Sequence, residues 1–403
     1  MNIAEYAELM KNIQTNLLIF IEKDDNDDHN FQNLQTLFNE NKIQDNKYNL
    51  ISLFHLIAKI SNNHHRGNLF FDKIFRILLF FKDSIQKHFS NSEIFNIFIS
   101  NKRIILFFIE EGIIIVDDYI AKKMTTGKYI ERKYPEYFSP ELKPFLRKKW
   151  FQRKHKFDNL TETVGKELPA NFYDERKKGE NNDFLSVIIQ KDSINEFIAY
   201  VNQSDCSLCD EIESSIYETN CLLLKKQTNQ ISNARVSLRS RPKNDKYLSF
   251  IEYAAFYGSI KIFQYLSNNG VEVKQSLMKF AIHSNNTEIV NLIKDKFNKS
   301  IQKSAKSYFK ESMKCHHNDI ANYFADNFLD DYSEMSDEIL IWSLKYYNFE
   351  FMKHSDINES LFCYLCKYDY FYLVNEILKG PNVDINKTII SIKMFINEIF
   401  ISN

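Results

Sequence analysis

Glycine and proline are scarce in this chain, with 8 and 6 among 403 residues. So few turn punctuators argue against a sheet-rich fold and for helices. Long apolar runs are lacking too. The longest, Ile104 to Ile109, stops at Glu110-Glu111, well short of the roughly 18–20 residues that span a bilayer. The amino terminus carries Glu5 and Glu8 before its first lysine and shows no apolar core with a cleavage site, so no secretory leader is expected. An excess of one charge is also missing: 52 Lys and Arg face 53 Asp and Glu, for a net charge of −1. That balance excludes a global field steering the chain toward nucleic acid or an anionic membrane. Six cysteines make no disulfide framework in a chain of this kind. Together these absences predict a soluble intracellular, cytoplasmic protein.

Catalytic signatures are missing as well. No GxGxxG, GxSxG, HExxH or kinase motif occurs. Thr126-Gly127-Lys128 lacks the upstream glycine and the following Ser/Thr of a phosphate loop. The reading is a non-enzyme with no catalytic residues, no cofactor and no metal.

What the chain does have is apolar mass: 44% hydrophobic and 15% aromatic residues, ample for a buried core. It also has a repeat. LSFIEYAAFYGSIKIFQYLSNNGVEVK (248–274) and QSLMKFAIHSNNTEIVNLIKDKF (275–297) superpose at an offset of 27 residues, Ala254 on Ala281. The rule is an apolar pair, a small residue four positions after the pair begins, and a second apolar pair eight and nine positions further on. It returns at Tyr308-Phe309, Ser312 and Ile320-Ala321, then at Ile339-Leu340, Ser343 and Phe351-Met352. A last copy is Leu361-Phe362, Leu365 and Leu373-Val374. Looser copies lie around Leu185, Ile189 and Phe197-Ile198, and around Ile94-Phe95, Phe98 and Leu106-Phe107. Apolar pairs at this spacing mark helix faces, and a fixed period marks stacked two-helix units that cannot bury their apolar faces alone. The turn between paired helices falls at Gly258, Asn285, His316, Asn348 and Asp369. Gly, Asn and Asp suit the left-handed conformation that closes a helix.

The first copy resembles the ankyrin repeat. Ser249-Phe250-Ile251-Glu252-Tyr253-Ala254-Ala255, Gly258-Ser259, Phe263, Leu266 and Gly270-Val271 follow its pattern. The Thr-Pro and His of that pattern are absent, so the usual bracing of the loop is in question. Spacings of 27, 31, 31 and 22 residues against the usual 33 imply shortened or missing β-hairpins. The chain as a whole resembles a large family of divergent ankyrin proteins of trichomonad protists, through residues 62–74, 93–113 and 133–151 and the repeat block. The expected fold is therefore all-α: an ankyrin-like solenoid of stacked helical hairpins plus an irregular helical amino-terminal region.

Three divisions are expected. Residues 1–116 form the amino-terminal helical region, whose first helix, 3–22, turns Ile3, Ala7, Met10, Ile13, Leu17 and Phe20 to one side. Residues 117–182 hold four of the six prolines and read as a Pro-rich, aromatic and basic connector. Residues 183–403 form the repeat domain, with an exposed insertion at 227–247.

By resemblance, the first helices line a partner-binding groove. One row holds Tyr253, Phe280, Glu311, Trp342 and Tyr364. A second holds Phe256, His283, Lys314, Lys345 and Lys367, and a third Tyr257, Ser284, Cys315, Tyr346 and Tyr368. Aromatics beside lysines suit a protein-binding surface. The candidate contacts are Tyr253, Tyr257, Lys314, Trp342, Lys345, Tyr346, Tyr364, Lys367 and Tyr368. The function expected is a non-catalytic protein-interaction scaffold with a protein partner, no membrane and no nucleic acid. The alternative is nucleic-acid association through the basic run Lys143, Arg147, Lys148, Lys149, Arg153, Lys154 and Lys156. Cys206/Cys209 and Cys363/Cys366 are too far apart in the chain to share a metal. His64-His65 and His316-His317 read as structural or solvated pairs, because adjacent helical residues do not face each other.

Overall fold

The structure, a computed structural model, describes residues 2–379 except 24–27, 68, 155–158, 205, 221, 224–246, 330–331, 333, 354–356 and 358. It is predominantly helical, with one short antiparallel ribbon of Glu211–Glu213 against Tyr247–Ser249. Among the described residues no helix is long and apolar enough to cross a membrane. The chain divides into two compact units: Ser90–Asn298, and Met1–Phe89 together with Lys299 onward. The sequence-read boundaries at 116/117 and 182/183 both fall inside the first of these. The insertion at 227–247, Tyr247 apart, lies outside the described residues.

In the unit Ser90–Asn298, helices pair as Asn91–Phe98 with Lys102–Glu110, Phe184–Gln190 with Ile194–Gln203, and Phe250–Tyr257 with Ile260–Asn268. Leu277–Ser284 pairs with the start of Thr287–Cys315, a helix interrupted at Phe297 (φ −116°, ψ 20°). The helix Phe250–Tyr257 packs between Phe184–Gln190 and Leu277–Ser284. A local motif explains the pairing. Asp192, Gly258 and Asn285 all have positive φ, and the Ser193 and Ser259 amides then donate back to the Ile188 and Ala254 carbonyls at 3.1 and 2.9 Å. This left-handed closure satisfies carbonyls that a helix end otherwise leaves without partners. Gly258 (φ 74°) is required on two counts, since a Cβ there would also lie 3.3 Å from that of Ser284. The upstream copy is therefore centred on Ile188, one residue before the Ile189 expected from sequence.

The pair Asn91–Phe98 and Lys102–Glu110 shares the punctuation of Phe250–Tyr257 and Ile260–Asn268. Glu93 and Glu252 accept from the amides of Ser90 and Ser249 at 2.8 and 3.0 Å, half or more of a capping box. Gly112 and Gly270 close the second helices with positive φ. Only the inner turn differs: Asn101 caps the second helix through the amides of Arg103 and Ile104, both 3.1 Å away.

Residues 117–182, read from sequence as a connector with short helices partly packed through their aromatics, belong to this unit and pack in that way where they are described. Short helices carry Tyr134, Tyr137, Phe138, Phe145 and Phe151 inside. Buried Arg176 pairs with Glu141 at 2.8 Å and donates to the Tyr137 carbonyl, while the Tyr137 hydroxyl donates to the Arg176 carbonyl at 2.9 Å. Prolines 135, 140 and 144 stand in the first turns of their short helices, where a missing N–H is harmless. Lys102 is buried beside them, donating to the carbonyls of Ile216 (2.6 Å) and Arg132 (3.1 Å).

The other unit joins the two ends of the chain. Its pairs are the end of Thr287–Cys315 with Asn318–Phe328, Ser336–Tyr346 with the 3-10 turn Phe349–Phe351, and Phe362–Lys367 with Phe371–Leu378. His316, Tyr347 and Asp369 take the positive-φ position, so Tyr347 and not the expected Asn348 occupies that turn. The amides of His317, Asn348 and Tyr370 donate to Ser312, Ser343 and Leu365 at 3.1, 3.0 and 2.9 Å. The residue after each turn also reaches back to the preceding pair. Asn348 Nδ2 donates to the Met313 carbonyl at 3.0 Å and the Tyr370 hydroxyl to the Leu344 carbonyl at 3.1 Å. In the unit Ser90–Asn298, the Ser259 hydroxyl does the same to Ile189 at 2.5 Å. This back-donation thus recurs at the turns of Gly258, Tyr347 and Asp369.

Because the second element of the Ser336–Tyr346 pair is a single 3-10 turn, that pair lacks apolar cover. Helix Ile3–Glu22 lies against the turn. Buried Gln14 donates to Asn348 Oδ1 at 2.9 Å and accepts from the Phe349 amide at 2.7 Å. Tyr6 stacks on Tyr372 with ring centroids 4.5 Å apart, and His55 of helix Lys47–Asn63 stacks on Tyr347 at 5.0 Å. A separate amino-terminal region 1–116 is therefore not what forms: residues 1–89 complete the carboxy-terminal pairs.

Two outcomes follow. Asn348→Ala, which strips buried partners from Met313 and Gln14, is expected to cost about 2–3 kcal/mol in urea unfolding, against under about 0.5 kcal/mol for exposed Asn327→Ala. Burial lowers the Lys102 ammonium to about 7 from its usual 10.5, against the opposing pull of Glu218 and Glu136. Above pH 7 the unfolded chain holds a proton that the folded one has released, so stability contributed here rises with pH up to the ordinary lysine value. Wild type is expected to gain about 1 kcal/mol per pH unit between about pH 7 and 9 relative to Lys102→Met; parallel urea curves for the two at all pH values would contradict this.

Candidate functional site

The nine residues proposed as partner contacts separate by burial. Tyr253 and Trp342 are core, only 2% and 8% exposed. Phe280, His283 and Cys315, which share their rows, are buried as well. Tyr253 reaches Gln190 and Trp342 lies 6.3 Å from Phe309, in each case on the preceding first helix, so residues that would line a groove instead fill the gap between helices. The Tyr253 hydroxyl accepts from Gln190 Nε2 at 3.2 Å and donates to Glu218 at 3.3 Å, while half-buried Tyr257 packs beside it with the rings tilted and centroids 4.8 Å apart.

The other seven lie in the unit that holds both chain ends. Lys314, Lys345 and Lys367 each stand two residues before a left-handed turn residue, at the same point of three successive first helices. Lys345 and Lys367 are exposed and Lys314 is half-buried. Tyr346 and Tyr368 stand next in line, half-buried, with Tyr364 one turn earlier on the last helix. Each lysine of the outer pair leans on its neighbouring ring: Lys345 Nζ is 5.5 Å from the Tyr346 centroid and Lys367 Nζ 5.6 Å from that of Tyr368. Trp342 forms the floor between them and Lys310, whose Nζ sits 4.8 Å above the indole.

Lys310 is the member that sequence reasoning missed. It belongs to none of the register rows, although its place one helical turn before Lys314 is a readable signal. With it the site gathers four ammonium groups. Their mutual effect is visible at Lys345, which is pushed below the usual lysine range, first by burial of its stem and then by Lys310, Lys367 and Lys314. Lys314 is paired with Glu311 at 2.7 Å. Burial lifts the Tyr346 phenol to about 12, partly offset by Lys314, so its hydroxyl stays protonated as a hydrogen-bond donor at neutral pH. The surface therefore offers ammonium and phenol donors over an aromatic floor. Such a surface can bind carboxylates and the flat or apolar side chains between them.

The remaining candidates are dispersed. In the basic run, Lys148 is held by Asp118 at 2.6 Å and leans on Phe145. Trp150 donates to that same carboxylate at 3.3 Å and carries Lys122 over its ring at 5.1 Å. Lys156 lies outside the described residues. Cys363 and Cys366 are half-buried free thiols on helix Phe362–Lys367, and burial raises both above the usual cysteine value, which opposes thiolate chemistry. Cys206 and Cys209 are free thiols in a loop before the Glu211–Glu213 strand.

Comparison with known protein families, characterised proteins and solved structures finds no match to this chain.

The burial pattern makes Trp342 structural. Trp342→Ala is expected to lose about 3–5 kcal/mol of stability, while Lys345→Ala stays within about 0.5 kcal/mol of wild type in the same urea titration. Equal stability of the two variants would return Trp342 to the surface.

Proposed function

We propose that the chain is an ankyrin-like solenoid acting as a non-catalytic protein-interaction scaffold, and that the ridge of Lys310, Lys314, Lys345 and Lys367 over Tyr346, Tyr364 and Tyr368 grips an acidic segment of a protein partner. The observation that carries this reading is the alignment of Lys314, Lys345 and Lys367 two residues before the left-handed turn of three successive first helices, with Lys310 one helical turn before Lys314. Like charges held together cost stability that an anionic ligand recovers. Three of the four lysines stand at equivalent repeat positions, so the charges form a line along successive helices, matched to an extended segment with repeated carboxylates. The half-buried tyrosines supply rigid apolar contact at low conformational cost, the usual make-up of an affinity-determining patch.

A protein partner is favoured over nucleic acid because the basic run 143–156 has part of its charge already engaged by Asp118. The chain as a whole also carries no positive excess. The ankyrin-like assignment draws on the recurring left-handed turn and the back-donation across neighbouring pairs. It departs from the regular repeat in its short periods and in the single two-stranded ribbon among the described residues.

The test is fluorescence anisotropy with a labelled Asp/Glu-rich peptide on the full chain. Lys345→Glu with Lys367→Glu is expected to weaken binding at least ~10-fold, or ~1.4 kcal/mol, and rising salt to weaken the wild type in the same direction. Unchanged affinity after the double reversal would remove the ridge as the site, and tighter binding of an oligonucleotide of equal charge would move the reading to nucleic acid.

A further inference from the structure

Three chain segments bring imidazoles and a carboxylate together in the unit formed by the two chain ends. Helix Lys47–Asn63 stops at His64, whose backbone is extended (φ −70°, ψ 154°) while its amide still donates to Ile60 at 2.9 Å. His64 and His65 therefore leave the helix, and the rule that adjacent helical residues diverge does not govern them. His317 arrives from the other direction: it follows the left-handed His316 and stands at the start of helix Asn318–Phe328. The three rings converge, with centroids 4.5 Å apart for His64–His65 and His64–His317 and 5.2 Å for His65–His317. One ring nitrogen from each lies within 4.8 Å of the others. Glu22, the last residue of helix Ile3–Glu22, places a carboxylate oxygen 3.1 Å from His64 Nε2.

The hydrogen bonding of His64 makes this more than a cluster. Its Nδ1 is 2.8 Å from the Cys315 carbonyl, 251 residues away in the chain. A carbonyl only accepts, so Nδ1 carries the proton. In the neutral ring Nε2 then turns a lone pair toward the Glu22 carboxylate, an unfavourable facing of two acceptors. A shared cation resolves it. A proton would serve, but it would place an imidazolium against two further imidazoles. A metal ion held by the three imidazoles would also face the Glu22 carboxylate. An imidazole whose other N–H is held by a backbone carbonyl is also the usual arrangement of a metal-ligating histidine.

We propose that His64, His65, His317 and Glu22 form a binding site for a divalent transition metal, zinc foremost, that ties the first helix to the end of helix Lys47–Asn63 and the start of helix Asn318–Phe328. Three imidazoles and one carboxylate suit zinc in softness and number. Zinc–nitrogen bonds of about 2.0–2.1 Å put tetrahedral ligand atoms about 3.3 Å apart, so closure asks for roughly 1 Å of side-chain movement. His64 and His317 are buried, Phe70 lies 6.5 Å from the His64 ring, and the Glu22 side chain is 42% exposed. The exposed carboxylate gives an ion its entry path. Four protein ligands leave no open position, which assigns a structural and not a catalytic role.

The test strips the full-length chain with a chelator and titrates it with zinc sulfate against a chromogenic competitor. One zinc per chain is expected, with a higher melting temperature in its presence. His65→Ala and His317→Ala should each lower the affinity by at least ~10-fold, Glu22→Gln by roughly as much, and exposed His29→Ala not at all. Substitution with cobalt(II) should give the visible absorption of a tetrahedral site. His65 is half-buried, so His65→Ala is decisive should His317→Ala unfold, with circular dichroism as the check. No zinc uptake by the wild type overturns the proposal, and so does uptake undiminished by His65→Ala, which would place the ion on the cysteines.

Discussion

Six of the helical pairs among the described residues turn on one backbone conformation. Asp192, Gly258, Asn285, His316, Tyr347 and Asp369 all take positive φ, and in five of these six turns the next residue's amide bonds back to the carbonyl four residues before the turn residue. The conformation costs a non-glycine residue roughly 1–2 kcal/mol. The returned carbonyl bonds and the side-chain donations from Ser259, Asn348 and Tyr370 offset that cost. Tyr347 is the most demanding case, since a bulky residue at positive φ is rare. It is held between stacked His55 and Tyr370 rings at 5.0 and 4.5 Å. The strained turn is thus also the point where helix Lys47–Asn63 docks, and the amino-terminal helices depend on it.

From this constraint the lysine ridge follows. A turn at a fixed place in each pair gives every first helix the same rotational setting, so residues at one register position emerge side by side. Lys314, Lys345 and Lys367 repeat at that position, and the rings after them form the floor. Inward positions obey the same rule with the opposite result. Tyr253, Phe280 and Trp342 repeat at the inward positions and are buried between helices.

How much of this the sequence discloses depends on whether the signal is local. The repeat period, the first-helix faces and most turn positions are written in short spacings, and in four copies the residue picked as small (Ala254, Ser312, Ser343, Leu365) is the one whose carbonyl closes the turn. Asn348 misled by one position because asparagine tolerates positive φ better than tyrosine, and only the stacked rings around Tyr347 reverse that preference. The division of the chain was not legible. Nothing near Gln14 announces that it bonds to Asn348, a residue 334 positions away. The prolines of 117–182 suggested a connector because proline interrupts long helices, whereas short helices use it in their first turns. The histidines looked solvated or structural because each adjacent pair was weighed by itself, and nothing local shows that His317 meets His64 and His65.

Hydrogen exchange at the turn amides tests the account most directly. Ser193, Ser259, His317, Asn348 and Tyr370 occupy positions where ordinary loop amides exchange freely. Here they are expected to be protected to the degree of the helices they close, in a full-length chain followed residue by residue. Fast, unprotected exchange at these five amides, beside slow exchange in the flanking helices, would mean that the turns do not close the pairs and that the common register of the first helices has another cause.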